Sequence, residues 1–540
     1  MKKTMALLLA LTLLVGLCPL MATAEEAPAE MTTIKVMGHE RQIADGVYFA
    51  ERDKQKVWQE AEKIFAKNGF NFEFEIIADQ EQYKTTIQTR LASNYNLPDF
   101  CYVGTMTDTE VLDLADTGII LPMNKIMETT KGNAYNYFFG GEGDKARNLI
   151  TREDGNFYWL PRIQVNELLN GKEAGTSMGV CIRLDWLKKL GLEVPKSLDE
   201  FTAALRAFQE NDMNGNGVKD EVAVLDTSTF SSSGISYWFG MVSDYVGVNV
   251  TEGKVESPWY SPVAKDYFAY VNSLVNEGLL YADKVGSDTN TDQLQNENKV
   301  SALYYYPVGT YVEMPIRTAG YEDAYYVGIE PFNAVEGVNG FYSEETPYLV
   351  YLKYAVTSAA AGKEETMAKM FDVIYGDEML NLIDWGIEGV NYEEVDGTRK
   401  RLNANLSSAE QGEKGIIEFD PIARFFFPTL RHNDRMDEIE RTRQAGWAEK
   451  ADFEMNTAEY KYRTPNDNSG YYALPTAEEA QKLAEYTTDL ETYSRELAAN
   501  LTLGRASLDD WDTYMAELKE LGLDEVLAIR QAQLDRANGK

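Results

Sequence analysis

An alternation of strand and helix patterns near the start of the chain is the strongest constraint on its fold. Five segments alternate between the two patterns: a strand at 34–38, an amphipathic helix at 56–67, a strand at 72–77, a helix at 83–94 and a strand at 97–103. This order predicts βαβ units, which form a parallel sheet covered by helices. Because ligands of open parallel sheets bind beyond the carboxyl ends of the strands, Tyr102 and Gly104 are candidates for a ligand cleft.

Length and charge narrow the architecture and the possible partners. The chain has 540 residues, which exceeds the size of a single core and predicts two α/β lobes. Its 87 acidic and 51 basic residues give a net charge of -36, so we expect no nucleic-acid partner. Beyond position 24 the only cysteines are Cys101 and Cys181, which form either two buried thiols or one disulfide.

The first 24 residues have the features of a secretory signal peptide. Two lysines at positions 2 and 3 precede an apolar run at 5–17, and Ala22-Thr23-Ala24 supplies small residues at a cleavage site. We expect cleavage after Ala24 and export to an extracellular, cell-surface or periplasmic location. We expect no lipid anchor at Cys18, because Leu17 stands where a lipoprotein signal requires a small residue. No later run is long and apolar enough to span a bilayer.

A loop rich in aspartate, asparagine and glycine follows two predicted helices in segment 181–221. Gly191 predicts the end of the first helix, and a capping box of Ser197 with Glu200 predicts the start of the second. Oxygen donors then alternate as in the first half of an EF-hand: Asp212, Asn214, Asn216, the Val218 carbonyl, Asp220 and Glu221. An all-oxygen set suits calcium, whereas zinc would require histidine or cysteine.

This loop departs from a regular EF-hand at its end. Ala223 occupies the twelfth position, where an EF-hand has a bidentate glutamate. No second, paired loop follows in the sequence, so we expect a structural Ca²⁺ ion and no calcium switch. The alternative is a solvated turn between a helix and a strand that binds no metal.

The residues around this loop resemble a known protein family. The run Arg-x-Asp-Trp-Leu-x-Lys-Leu-Gly-Leu-x-Val-Pro at 183–195, the helix after it and a loop ending in Asp-Glu are similar to the extracellular solute-binding proteins of family 1, in their larger, oligosaccharide-binding branch. The resemblance implies a two-lobed α/β fold of the type II periplasmic-binding-protein kind, with hinge crossovers and a helical C-terminal region. We therefore predict lobe 1 at 25–165 and 345–400, and lobe 2 at 166–344 and 401–540.

A second match lies in the run Trp-Gly-Ile-Glu-Gly-Val-Asn-Tyr at 385–392. It resembles a signature of the oligosaccharide-binding branch, in which nearby aromatic and acidic positions approach the ligand. The resemblance implies that Trp385 and Glu388 bind ligand, with Glu388 accepting hydrogen bonds from sugar hydroxyls. The alternative for Glu388 is a carboxylate on a surface turn.

Further candidates come from aromatic segments that match the family's hinge and second lobe. Trp159 would be a stacking platform at the hinge, or else a core tryptophan, and Trp238 would face ligand, or else fill a packed corner. Tyr305 or Tyr306 would line the cleft at a strand end. Arg162 would bind sugar hydroxyls, or else be a solvated or lobe-bridging charge.

The resemblance implies a monomeric receptor of an ABC importer, which captures an oligosaccharide between two lobes and delivers it to a membrane permease. We expect no enzymatic activity, because the chain has only His39 and His432 and lacks histidine triads, zinc-peptidase motifs and a Walker loop. Two alternatives remain open. One is a secreted polysaccharide hydrolase or lyase that uses carboxylates, and the other is a receptor for a peptide or another non-sugar solute.

Overall fold

The computed structural model of the chain describes residues 31–165, 168–169, 172–173, 179–225, 234–242, 245–249, 252–287, 289–305, 316, 319–340, 342–344, 348–403, 406, 408–432, 463–465 and 471–540. The strands within these ranges are β1 Thr32–His39, β2 Gln42–Ala44, β3 Val47–Tyr48, β4 Phe70–Ile77, β5 Phe100–Tyr102, β6 Leu160–Val165, β7 Leu168–Leu169, β8 Lys172–Glu173, β9 Gly179–Arg183, β10 Val222–Val224, β11 Gly247–Asn249, β12 Lys254–Glu256, β13 Val300–Tyr305, β14 Tyr326–Gly328, β15 Tyr342–Glu344, β16 Tyr348–Val356, β17 Tyr392–Val395, β18 Thr398–Arg401, β19 Leu430–His432 and β20 Arg463–Pro465.

The α-helices within the same ranges are α1 Lys56–Lys67, α2 Gln80–Ser93, α3 Asp108–Asp116, α4 Met123–Met127, α5 Asn133–Phe139, α6 Asp144–Ile150, α7 Leu184–Leu190, α8 Leu198–Glu210, α9 Ile235–Trp238, α10 Ala264–Asn276, α11 Asp292–Asn296, α12 Glu364–Ile374, α13 Asp377–Asp384, α14 Ser408–Glu413, α15 Phe419–Ala423, α16 Ala477–Thr502, α17 Trp511–Glu520 and α18 Leu523–Ala537.

A six-stranded sheet organises the first lobe, in the order β19-β6-β16-β5-β1-β4. β1 runs parallel to β4 and β5, β19 runs parallel to β6, and β16 runs antiparallel to both β5 and β6. Five of the six strands therefore point the same way and end at one edge of the sheet. The predicted series of three strands and two helices is confirmed by β1, α1, β4, α2 and β5.

Helix α1 shows why this part of the chain folds as the pattern predicts. Its apolar side chains recur every three or four residues and form one buried face: Val57, Trp58, Ala61, Ile64 and Phe65. Full burial of such side chains stabilises the fold by about 1.5–3 kcal/mol each. Helix α2 buries Tyr83, Ile87 and Leu91, and Asp79 caps it by accepting a hydrogen bond from the Gln82 backbone N–H at 2.8 Å.

A four-stranded sheet organises the second lobe, in the order β10-β13-β9-β14. β10 and β13 are parallel, and β9 is antiparallel to both β13 and β14. Helices α7 and α8 pack on this sheet; Gly191 ends α7 at a φ of +70°, and Ser197 caps α8, as predicted. Helices α16 to α18 bury their apolar residues in the same core, which agrees with the predicted helical C-terminal region.

The boundary predicted between the lobes at residue 400 is wrong over one stretch. Residues 416–430 bury Ile417, Phe419, Phe426 and other apolar side chains in the first core, not the second. Two interactions hold them there. β19 extends the first sheet by pairing with β6, and the Phe426 ring stacks on Phe49 with centroids 3.7 Å apart. The first lobe therefore continues through β19.

Both cysteines are buried free thiols, Cys101 in β5 of the first sheet and Cys181 in β9 of the second. The disulfide alternative is therefore wrong, since the two residues belong to different sheets. Burial raises the pKa of the Cys101 thiol to about 12, which keeps it protonated and unreactive. None of the helices in the described part of the chain is long and apolar enough to cross a membrane.

Candidate functional site

The carboxyl ends of the parallel strands in the first sheet bring together residues from distant parts of the chain. β1 ends at His39 and β5 at Tyr102, while Phe425 follows α15 and lies over both of them. The Phe425 ring centroid is 4.4 Å from that of His39 and 5.0 Å from that of Tyr102, and the Arg41 guanidinium lies 4.7 Å from the same ring. We call His39, Arg41, Tyr102, Arg424 and Phe425 the strand-end cluster.

Within this cluster, Tyr102 lies at the strand end where the sequence placed it, but its side chain is only 4% exposed. Burial raises the pKa of Tyr102 to about 12, so its hydroxyl stays protonated and can donate a hydrogen bond. Phe425 and Arg424 are more accessible than Tyr102. A ligand at this edge therefore meets Phe425 and the arginine side chains before it meets the tyrosine.

A buried ion pair lies directly beneath the cluster. Arg162 donates from Nε and Nη2 to the two carboxylate oxygens of Asp420, at 2.7 and 2.8 Å, and both side chains are 1% exposed. The Asp420 carboxylate also lies 3.4 Å from Arg424 Nη2 and 3.6 Å from Arg431 Nη1. The alternative of a solvated Arg162 is wrong, because its guanidinium is buried against Asp420 within the first lobe. The role of Arg162 in binding sugar hydroxyls stays a prediction.

The charges around Asp420 shift its pKa strongly. Burial alone would raise the pKa of this carboxyl, but the Arg162 and Arg431 guanidinium groups hold it well below its usual range. The pKa of Arg41 is lowered as well, but for Arg41 this disfavours the charged form. Burial, together with repulsion from Arg424, lowers the pKa of Arg41 to about 10. The site is therefore crowded with positive charge that Asp420 and Glu418 offset only in part.

The segment predicted to bind ligand around Trp385 is linked to the same site. Trp385 follows α13 and is half-buried, with the Arg401 guanidinium 4.9 Å from its ring. Arg401 pairs with Glu418 at 3.0 Å, and Glu418 faces Arg431 at 4.0 Å. This charge network connects Trp385 with the arginines around Asp420. The structure therefore links the predicted segment around Trp385 to the predicted residue Arg162.

Glu388 occupies an exposed turn between two glycines with positive φ, Gly386 at +79° and Gly389 at +74°. A Cβ atom at Gly386 would lie 2.6 Å from Cγ of Asn391, so glycine is required there for the close approach of the chain. Asn391 closes the turn, because its Oδ1 accepts from the Ile387 N–H at 3.0 Å. The turn therefore presents the Glu388 carboxylate to solvent.

The remaining predicted aromatic residues lie in or next to the two cores. Trp159 is 3% exposed and belongs to the first core. Trp238 is fully buried, with its ring 4.3 Å from that of Phe332 in the second core. This packing favours the core alternative for both tryptophans. Tyr305 ends β13, at the corresponding edge of the second sheet, and Tyr306 lies outside the described residues.

The predicted calcium loop is closed by hydrogen bonds from its own backbone. The Asp212 carboxylate accepts from the N–H groups of Asn216 and Gly217 at 3.1 and 2.9 Å, and the Glu221 carboxylate accepts from the Asn214 N–H at 3.1 Å. Gly217 has a φ of +85°, as this sharp turn requires. The side-chain oxygens of Asp212, Asn214 and Glu221 are thus folded towards the loop backbone.

Glu221 is the residue of this loop that most favours a bound cation. Its side chain is 1% exposed, and its Oε2 atom has no hydrogen-bond partner in the described part of the structure. Asp220 is paired with Lys299 at 2.9 Å, which helps to lower its pKa against the opposing effect of burial. Among the described residues, no three histidine, cysteine, aspartate or glutamate side chains are close enough to form a metal-binding group. The donor chemistry fits a hard cation, although the acidic groups are not gathered around one point.

Comparison with known proteins shows which proteins this chain is similar to. No protein-family model matches the sequence. The fructooligosaccharide ABC transporter substrate-binding protein FusA of Streptococcus pneumoniae serotype 4 is 24% identical over 463 residues, which is 82% of this chain and 81% of FusA. The structure of an S. pneumoniae FusA EF-hand mutant in complex with fructo-nystose superimposes with a TM-score of 0.68 at 20% identity, covering 94% of this chain and 100% of that one.

Along most of its length, the chain is therefore similar to an ABC-transporter substrate-binding protein. The alginate-binding protein AlgQ2, solved without calcium ion, shares its fold with a TM-score of 0.64 at 20% identity, over 93% of this chain and 98% of AlgQ2. The predicted two-lobed fold is therefore confirmed.

The site residues that sequence reasoning missed are brought in by long-range contacts. Asp420, Arg424 and Phe425 lie in the stretch 416–430 that was assigned to the wrong lobe, and Arg431 follows it directly in β19. One signal was available: the run Arg-Phe-Phe-Phe-Pro at 424–428 places a basic residue within an aromatic segment of a strongly acidic chain.

Proposed function

We propose that this protein is the extracytoplasmic receptor of an ABC importer that captures an oligosaccharide between its two lobes and delivers it to the permease. The carrying observation is the match to FusA along four fifths of both chains. The shared fold places the carboxyl ends of parallel strands at one edge of each sheet, which is where ligands of such folds bind. Closure of the two lobes would be a hinge motion, stabilised by contacts that the ligand makes only in the closed state.

In the first lobe, the ligand would contact the strand-end cluster and the segment around Trp385. Aromatic rings such as Trp385 and Phe425 stack on the apolar faces of sugar rings, and the Glu388 carboxylate accepts hydrogen bonds from hydroxyl groups. In the second lobe, Tyr305 or Tyr306 would supply the opposing surface. The protein would act without catalysis, as a monomer, after export and removal of residues 1–24.

A calcium ion would hold the loop between α8 and β10. The ligands would be oxygens of Asp212, Asn214, Asn216, Val218, Asp220 and Glu221, since all are oxygen donors and calcium binds six to eight of them. The unpartnered Oε2 of buried Glu221 supports this assignment, because an unpaired carboxylate oxygen inside a protein is costly. Two structures of similar fold support it further: one is an EF-hand mutant of FusA, and the other is AlgQ2 solved without calcium ion.

Thermal unfolding of the mature protein with oligosaccharides tests the receptor function. A bound oligosaccharide should raise the melting temperature, while analysis of the same mixtures should find the sugar intact. Cleavage of the sugar would instead establish an enzyme. A melting temperature that responds to peptides and to no sugar would establish a receptor for a non-sugar solute.

The calcium site is tested separately with Glu221→Gln and a matched control. Calcium should raise the melting temperature of the wild type, chelation should lower it again, and Glu221→Gln should abolish most of the response. Glu210→Gln changes an exposed carboxylate at the last residue of α8, outside the ligand set, and should respond to calcium as the wild type does. Equal responses in the two variants would refute the assignment of Glu221.

A further inference from the structure

Polar atoms around the strand-end cluster lack the partners that buried polar groups normally have. His39 Nε2, Arg424 Nε and Arg431 Nε are buried and have no hydrogen-bond partner among the described residues. Leaving such an atom unsatisfied costs about 1–3 kcal/mol, so a cluster of them usually serves a purpose. Thr105, just beyond the end of β5, carries a fourth unpartnered atom, Oγ1.

These unpartnered atoms differ in whether they donate or accept hydrogen bonds. The guanidinium nitrogens are donors only and require an acceptor. His39 Nδ1 lies 3.2 Å from the Glu40 carbonyl, which places the ring proton on Nδ1 and leaves Nε2 as an acceptor in the neutral ring. Burial lowers the pKa of His39, which favours this neutral form. The site thus offers strong donors beside one acceptor.

Neighbouring carboxylates are shared among several arginines and offset their charge only in part. Asp420 accepts from Arg162 at 2.7 and 2.8 Å and lies 3.4 and 3.6 Å from Arg424 and Arg431. Glu418 pairs with Arg401 at 3.0 Å and lies 4.0 Å from Arg431. Glu40 Oε1 accepts hydrogen bonds from the backbone N–H groups of Arg41 and Ala50, at 3.0 and 3.3 Å.

Arg41 makes no ion pair among the described residues, and its Nε donates to the Gln42 carbonyl at 3.0 Å. Arg424 is partly open to solvent, with 36% of its side chain exposed, and Arg431 is 16% exposed. A chain with a net charge of -36 therefore concentrates accessible positive charge at the ligand-binding edge of its first sheet.

We propose that the strand-end cluster binds a carboxylate group of the ligand, so that the oligosaccharide is an acidic one built from uronic acid residues. This inference rests on the proposed receptor function. Arg424 and Arg41 would donate to the carboxylate oxygens, a pairing for which the guanidinium group is shaped. Phe425 would pack against the sugar ring, and His39 Nε2 would accept a hydrogen bond from a ring hydroxyl.

Isothermal titration of the mature protein with matched sugars tests the inference. The probes are trisaccharides of α-1,4-galacturonate, β-1,4-mannuronate and β-1,4-glucuronate, the neutral counterpart of each made by reducing its carboxyl groups to alcohols, and a neutral fructo-oligosaccharide. We expect at least one uronate trisaccharide to bind, its reduced counterpart to bind at least about tenfold more weakly, and the uronate affinity to fall as salt is added.

The titrations distinguish an error in the ligand class from an error in the receptor function. Binding of neutral sugars alone, or equal binding of a uronate and its reduced counterpart, would overturn the inference and leave the receptor function intact. Binding of no sugar, acidic or neutral, would overturn both.

Variants assign the effect to the cluster. Arg424→Gln should weaken uronate binding by about tenfold or more and reduce its salt dependence, and should weaken binding of the reduced counterpart by clearly less. Arg424→Lys keeps the charge and should retain part of the affinity. Arg206→Gln removes an arginine that pairs with Glu277 on the exposed surface of α8, and should bind as the wild type does. An equal loss for acidic and neutral sugars in Arg424→Gln would overturn the role of its charge.

Discussion

Replacing Asp420 with asparagine tests whether the buried ion pair holds the first lobe together beneath the strand-end cluster. The substitution keeps the size of the side chain and removes its charge. Arg162, which is 1% exposed, would then carry an uncompensated charge. Breaking a buried pair from one side costs about 3–5 kcal/mol. We expect the upper part of that range, because Arg424 and Arg431 lie 3.4 and 3.6 Å from the same carboxylate and would repel Arg162 without it.

The expected loss of stability in Asp420→Asn depends on the burial of the ion pair, and an exposed pair in the same chain provides a matched control. Arg152 and Asp116 form a pair of the same two-bond geometry, at 2.5 and 3.0 Å, but their side chains are 21% and 56% exposed. Exposed pairs contribute less than about 1 kcal/mol, so Asp116→Asn should change stability little.

Urea denaturation followed by circular dichroism measures both variants. A loss of about 4 kcal/mol lowers the midpoint of the first lobe's transition by more than about 1 M for an m-value near 3 kcal/mol/M. Because two lobes need not unfold together, the transition that moves identifies the lobe that contains the pair. If Asp420→Asn shifts the midpoint no more than Asp116→Asn does, burial does not govern the strength of this pair and the reasoning is wrong.

Three further predictions concern the same lobe. The pKa of the Asp420 carboxyl is depressed in the folded protein. Its contribution to the free energy of unfolding is therefore complete above its unfolded pKa of about 4 and is lost as the pH falls below that value. Urea titrations should show a constant difference in the free energy of unfolding between wild type and Asp420→Asn from about pH 5 to 8, and a smaller difference in acid. Gly386→Ala should lower the free energy of unfolding by about 2 kcal/mol or more, because its Cβ would lie 2.6 Å from Asn391. Gly389→Ala, at a glycine with a similar φ and open space around it, should lower it by only about 1 kcal/mol. Equal losses of stability in thermal unfolding would contradict the close contact at Gly386. Trp385→Ala should weaken oligosaccharide binding in a calorimetric titration by at least about 1 kcal/mol without unfolding the protein, and an unchanged affinity would remove Trp385 from the site.

Much of the fold could be predicted because its signals are local. The alternation of β1, α1, β4, α2 and β5 follows from side-chain periodicity, which depends only on neighbours in the sequence. The Ser197 cap and the Gly191 stop depend on contacts within a few residues, and both were predicted correctly. The closed backbone of the loop at 212–221 is likewise a product of its own asparagine and glycine residues.

The candidate site was predicted less completely, because side-chain burial depends on distant partners. Nothing in the sequence around Trp238 tells whether its ring faces a ligand or packs against Phe332, which lies 94 positions further on. The half-buried position of Trp385 agrees with a role at the surface, but its link to Arg431 through Arg401 and Glu418 is a tertiary feature.

The sequence by itself determined the class of fold, the helix boundaries and the spacing of oxygen donors in the calcium loop, since each is encoded within one or two turns of the chain. Only the tertiary structure decided that residues 416–430 belong to the first lobe and that Arg162 pairs with Asp420, 258 positions away. The physical reason is that the position and burial of both side chains are set by the surrounding sheet, which is completed by strands from separate parts of the chain. Because that sheet excludes water, losing either partner would leave a buried charge uncompensated.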